Sequence, residues 1–195
     1  MTRFLLIRHG ETDMVGKTLS GRMAGVHLNK TGREQAELLP VRLKSTEIWV
    51  LYTSPLTRAR ETAAPLAHAK ALEARVSDAL VELDYGEWTG RSFHDLESDP
   101  DWRRFNMHRS LGRVPGGETM LEVQVRAMNE LERLRRLHEG ETVAVVSHAE
   151  WIRSVVLHFL GAPLDLFARI DISTASVSTI DLSEWAPVVR GLNAV

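Results

Sequence analysis

Phe4-Leu5-Leu6-Ile7 is a run of four apolar residues that stops abruptly at Arg8-His9-Gly10. A short apolar run bounded by charge and glycine predicts a buried strand, here over residues 2–8. Thr142-Val143-Ala144-Val145-Val146-Ser147 has the same form and stops at His148. Ile48-Trp49-Val50-Leu51-Tyr52 predicts a third such strand, and Ser176–Leu182 alternates as a half-buried one. Shorter strands are expected near Ala74–Ser77 and at Val188-Val189.

The segments between these runs change period. Thr31 opens a helical pattern through Lys44, in which Pro40 is expected to kink or end the helix. Ser54-Pro55 supplies an N-cap and a first-turn proline for a helix reaching about Ala69. Met120, Val123, Ala127, Met128, Leu131, Leu134 and Leu137 recur near helical spacing, so an amphipathic helix is expected over 119–138, ended by Gly140. Another helix is expected over Ala149–Leu160, stopped by Gly161 and Pro163. Residues 11–29 carry scattered glycines and no periodicity, which predicts a loop of a length that usually has a function. Residues 78–118 read as an irregular, partly helical insertion, with a helix-like piece around Asp101–Ser110 and a turn at Gly116-Gly117. Strands alternating with helices imply an α/β chain: a three-layer α/β/α sandwich with a mainly parallel central sheet, forming a single domain over 1–195.

Composition narrows the class. Hydrophobic residues make up 44% and charged residues 26%, with a net charge of −2, so neither a nucleic-acid footprint nor an anionic-membrane partner is expected. There is no cysteine, which rules out disulfides and thiolate chemistry. The apolar run before Arg8 is too short for a signal sequence, and no segment approaches a membrane span, so a soluble cytoplasmic protein is expected.

The candidate chemistry lies at the strand ends. In open α/β sheets, ligands bind where parallel strands give way to loops. Arg8 and His9 end the first strand, and His148 ends the 142–147 strand just before a helix N-terminus, where free backbone N–H groups attract anions. Arg58 falls in the first turn of the helix after the second strand. A cation there opposes the helix dipole at up to about 1 kcal/mol, a cost that an intervening anion removes. If the three strands are parallel neighbours, Arg8, His9, Arg58 and His148 share one cationic pocket, whose natural guest is a phosphate. Competing motifs fail on spacing. Gly10 to Gly16-Lys17-Thr18 has one residue too many for a P-loop, and His148-Ala149-Glu150 lacks the cysteine pair of a zinc deaminase. No metal-ligand spacing occurs among the histidines, so neither metal nor cofactor is expected.

Five ordered stretches resemble the histidine phosphatase superfamily, the phosphoglycerate-mutase-like fold. They are Arg8-His9-Gly10-Glu11-Thr12, Ser54 to Ala63, Val81 to Gly90, Pro115 to Thr119, and Val146 to Arg153. The resemblance implies that His9 is a phosphoryl-accepting nucleophile and that Arg8, Arg58 and His148 hold the phosphoryl oxygens. It implies Glu82 as general acid, ahead of Asp84 and Glu87 in the same stretch. The shorter chain and the Trp88-Thr89-Gly90 ending are similar to the phosphatase branch. The expected activity is that of a histidine acid phosphatase-type phosphomonoesterase, acting on a small-molecule phosphomonoester. Mutase-type phosphoryl transfer and a non-catalytic phosphate-binding module are the alternatives. Further substrate contacts are expected from Gly21 and Arg22 in the early loop. Arg104 and Arg109 belong to an arginine-rich segment over 101–113 that is either a lid or a solvated helix face. Two positions depart from the family pattern. Met14-Val15 stands where Trp-Asn is common, and Glu150 stands where small residues follow the second histidine. A carboxylate at Glu150 either repels multiply phosphorylated substrates or points to solvent. Oligomeric state is not legible.

Overall fold

The computed structural model describes all 195 residues, and its centre is β1 (Thr2–Arg8). This strand pairs in parallel with β4 (Thr142–Ser147), with Arg8 opposite Ser147, and β4 pairs in parallel with β2 (Val50–Thr53), with Thr53 opposite Val146. The short β3 (Ala74–Val76) adds in parallel to β2. On the other side of β1 lie the antiparallel β5 (Val177–Leu182) and, at the edge, β6 (Pro187–Ala194), giving the order β3-β2-β4-β1-β5-β6. The continuous apolar runs of β1 and β4 are explained by burial on both faces.

Side chains alternate across the sheet and divide the core in two. Phe4, Leu6, Val143 and Val145 join one cluster with residues of α5 (Met120–Leu137) and α6 (Ala149–Phe159). Leu5, Ile7, Ala144 and Val146 join the other, with Leu39 of α1 (Lys30–Arg42) and Ala59, Ala63 and Leu66 of α2 (Thr57–Lys70). Helices therefore cover both faces, and the architecture is the expected three-layer α/β/α sandwich with a mostly parallel sheet. No helix is long and apolar enough to cross a membrane.

Several element boundaries differ from the sequence pattern. Pro40 lies in the last turn of α1, and the helix runs two residues past it. Ser54-Pro55 does not start α2, which begins at Thr57 with Leu56 at the N-cap and no side-chain cap. The 78–118 stretch holds two short helices, α3 (Phe93–Glu97) and α4 (Pro100–Met107), the second capped by Asp99. The last strand is eight residues long rather than two, because β6 is an exposed edge with no buried face to impose a pattern. The 3₁₀ turn at Leu164–Arg169 had no sequence signal.

Candidate active site

The ends of β2, β4 and β1 lie side by side, so the residues that follow them meet. His9 donates its backbone N–H to the Ser147 carbonyl at 3.0 Å and is 4% exposed. The next residue must be glycine on steric grounds. A Cβ at Gly10 would lie 2.6 Å from the Gly32 carbonyl oxygen, where the start of α1 crosses the strand end. Gly10 N–H is held by the Thr62 hydroxyl at 2.9 Å.

The His9 ring has a defined orientation. Nδ1 lies 2.7 Å from the Gly10 carbonyl, which only accepts, so Nδ1 carries the proton and Nε2 presents its lone pair. That lone pair accepts from Arg58 Nε at 3.2 Å. Burial, then Arg58 and Arg8, push the His9 imidazole well below its usual pKa, so the ring is neutral. Arg58 is 1% exposed and donates Nη2 to the Gly21 carbonyl at 2.7 Å, which pins the early loop over the site. Burial lowers the Arg58 pKa to about 10, and it stays charged at neutral pH.

His148 is the N-cap residue of α6, but its side chain does not cap. Its Nε2 is hydrogen-bonded to Ser54 Oγ at 2.7 Å, and its ring centroid is 5.2 Å from that of His9. Ser54 Oγ also accepts from the Leu56 N–H at 3.3 Å, just ahead of α2. Burial, then the Arg58 charge and His9, hold His148 well below its usual pKa. Arg8 donates Nη1 to the Ile172 carbonyl at 2.5 Å. Arg8 Nε, Arg58 Nη1 and His148 Nδ1 are buried without a hydrogen-bond partner in the chain. Three unmatched nitrogens at one strand-end corner are costly unless an acceptor meets them.

Glu82 shares a cavity of about 110 Å³ with Arg8, His9, Gly21, Tyr85 and Glu150. Burial, then the nearby Glu150 carboxylate, raises the Glu82 pKa. Its own stretch of chain is firmly clamped. Arg126 on α5 donates to the carbonyls of Ala79 (3.0 Å), Val81 (2.7 Å) and Glu82 (3.0 Å), and to Glu118. Trp151 holds the Ala79 carbonyl at 2.8 Å and Ser147 the Leu80 carbonyl at 2.8 Å. The buried amide oxygens of this irregular segment are thereby satisfied without a sheet or helix.

The fold brings Arg8, His9, Arg58, His148, Glu82 and Gly21 together. It places the other expected substrate contacts elsewhere. Arg22 donates to the Glu82 carbonyl at 2.9 Å and pairs with Glu118 at 2.8 Å, so it braces the Glu82 loop instead of lining the cavity. The Arg104 side chain is 72% exposed and pairs with Asp101 on its own helix. Arg109 is buried between the rings of Phe105 (4.3 Å) and Phe167 (4.2 Å) and donates to Asn106. Met14 and Val15 supply no polar side chain to the pocket. Ser54 and Arg126 were not visible as site residues from the sequence. The first has the signature of a helix cap, and the second that of a solvated helix face. No group of three or more His, Asp or Glu side chains is arranged to hold a metal ion. A larger open groove of about 610 Å³ between α1 and α2 contains none of the strand-end histidines or arginines.

The family model for the histidine phosphatase superfamily (branch 1) matches residues 4–195. Phosphoserine phosphatase 1 of Hydrogenobacter thermophilus is 34% identical over 198 residues, spanning 99% of this chain and 92% of its own. Among solved structures, Bacillus stearothermophilus YhfR is similar with a TM-score of 0.93 at 29% identity, covering 100% of this chain and 98% of that one. A mutant phosphoserine phosphatase from Entamoeba histolytica, in complex with phosphoserine, gives a TM-score of 0.89 at 26% identity, covering 99% of this chain and 97% of that one.

Proposed function

Because the chain belongs to the histidine phosphatase superfamily (branch 1), we propose that it is a metal-independent phosphomonoester hydrolase that turns over a small phosphorylated metabolite through a phosphohistidine at His9. The observation that carries this reading is the state of His9: neutral, with Nδ1–H held by the Gly10 carbonyl and the Nε2 lone pair, the nucleophile, turned into the site toward Arg58 Nε. It shares its cavity with a carboxyl group, Glu82, whose pKa is raised by burial and then by the nearby Glu150. Two groups with pKa values displaced in opposite directions suit a nucleophile and a general acid.

In this mechanism the substrate phosphoryl oxygens take up the unmatched nitrogens of Arg8, Arg58 and His148. Arg58 Nε then trades the His9 lone pair for a phosphoryl oxygen. His9 Nε2 attacks phosphorus, the P–O bond to the alcohol breaks, and Glu82 gives its proton to the leaving oxygen. In the second half, ionised Glu82 takes a proton from water as that water attacks phosphorus. The N–P bond breaks, and neutral His9 and inorganic phosphate result. Each preorganised donor to the transition-state oxygens is worth about 3–4 kcal/mol. Residues 78–118, within one domain over 1–195, supply the acid and, with Tyr85 and Phe93, part of the cavity wall. The similarity to phosphoserine phosphatases makes phosphoserine the first substrate to try.

The test is phosphate release from a panel of metabolite phosphomonoesters by the wild type and His9→Ala. The expected result is turnover by the wild type and none by a variant that stays folded by circular dichroism. Near wild-type turnover by His9→Ala would refute the nucleophile assignment.

A further inference from the structure

Glu150 is the residue that most departs from the small side chains expected after the second histidine, and it does not point to solvent. Its side chain is 12% exposed and lines the same cavity as His9 and Glu82. Oε1 accepts a hydrogen bond from the Tyr85 hydroxyl at 2.7 Å. Oε2 is buried and has no hydrogen-bond partner. Its nearest cation, Arg153 Nη1, is 3.8 Å away, beyond hydrogen-bond reach. Arg153 is itself drawn off, 3.5 Å from Asp171 and stacked 4.7 Å from the Phe167 ring.

The charges on the cavity wall can be assigned one at a time. Arg8 and His9 belong to the phosphoryl end. Glu82 oxygens accept from the Leu83 N–H at 2.9 Å and the Glu150 N–H at 3.5 Å, and burial with the adjacent Glu150 raises the pKa of Glu82 and of the Tyr85 phenol. The rest of the lining, drawn from the early loop between Val15 and Gly21 together with Phe93 and Ala149, carries no charge. Beyond the phosphoryl end, the wall therefore presents two adjacent carboxyl groups, and of these Glu150 has a buried oxygen left unmatched. A leaving group whose only charge is a carboxylate would be repelled there. One carrying a cation would complete a buried ion pair and satisfy the oxygen.

We infer that Glu150 selects the substrate: its carboxylate receives an ammonium group on the leaving alcohol, so the preferred substrates are phosphomonoesters of small amino alcohols. The inference rests on the phosphatase reading above. At about 110 Å³ the cavity is below the usual range for ligand pockets, which favours a small ester.

The test compares kcat/KM for 2-aminoethyl phosphate and propyl phosphate, which differ by an ammonium in place of a methyl group. Wild type is expected to prefer the amine by about 10- to 100-fold, the range of a charge-assisted hydrogen bond. Glu150→Gln is expected to lower that ratio by about tenfold or more. A change at neighbouring Glu82 acts on both esters of one enzyme, and the amine's inductive effect enters the ratio of both enzymes alike, so the difference between the wild-type and Glu150→Gln ratios reports the Glu150 carboxylate. A wild-type ratio of one or less, or an unchanged ratio in Glu150→Gln, overturns the inference and leaves the phosphatase reading standing. Failure of wild type to hydrolyse either ester or p-nitrophenyl phosphate overturns both.

Discussion

Replacing Arg126 with methionine separates holding the fold from holding the acid. Arg126 lies on α5, is 19% exposed, and spans the carbonyls of Ala79, Val81 and Glu82 together with the Glu118 carboxylate. Methionine keeps the length and the packing of the side-chain stem and removes every donor. Each charge-assisted hydrogen bond is worth roughly 1.5–3 kcal/mol, but the bonds share one guanidinium and water can reach part of the gap, so the loss should be about 3 kcal/mol. At roughly 2–4 °C per kcal/mol for a chain of this size, the thermal midpoint should fall by about 6–12 °C. The kinetic consequence is more specific. The Glu82 carbonyl is held by Arg126 Nη2 at 3.0 Å and Arg22 Nε at 2.9 Å, and only the second anchor would remain. An acid displaced by a fraction of an ångström loses part of the usual general-acid contribution, so alkyl phosphates should slow about 10- to 100-fold. p-Nitrophenyl phosphate has a leaving group that needs no proton and should change by less than about threefold. The assay is kcat on both esters beside thermal unfolding of the same preparations. Equal slowing of the two esters, or a lowered midpoint with unchanged kcat on both, would refute the claim that Arg126 positions the acid.

Other outcomes follow from the same geometry. Glu82→Gln should show the same split between esters, and more strongly, since the proton donor itself is gone; equal slowing would argue against a general-acid role. Lowered His9 and raised Glu82 pKa values place the active protonation state, neutral imidazole with carboxylic acid, between them. Activity on alkyl esters should therefore persist to acid pH and fall on the alkaline side as Glu82 ionises. Glu150→Gln should move that alkaline limb to lower pH, because the Glu150 charge is the second cause of the Glu82 shift after burial; a limb that stays in place would remove Glu150 from the account. Activity should be unchanged by excess EDTA, and loss restored by a divalent metal would sink the metal-free mechanism.

The strands ending at Arg8-His9 and at His148 are local facts of the sequence, because runs such as Phe4–Ile7 and Val143–Val146 suit a sheet buried on both faces and little else. The alternation of those strands with amphipathic helices was enough for the three-layer α/β class. Candidate chemistry at the strand ends followed from charge placed where a core cannot accept it. That those ends meet is decided by the order β2-β4-β1, since pairing between segments 93 residues apart (Thr53 with Val146) and 139 apart (Arg8 with Ser147) leaves no local mark. Arginine was the hardest residue type to place. Arg58, Arg22, Arg109 and Arg126 look alike in sequence, yet one meets His9, two brace or pack the surrounding chain, and one clamps the Glu82 loop. A guanidinium on a long flexible stem takes whatever carbonyl, carboxylate or ring lies within reach, and only the packed chain decides which that is. The same holds for Glu82. It is one of several carboxylates in its stretch, and its raised pKa comes from being buried beside Glu150, a residue 68 positions away along the chain.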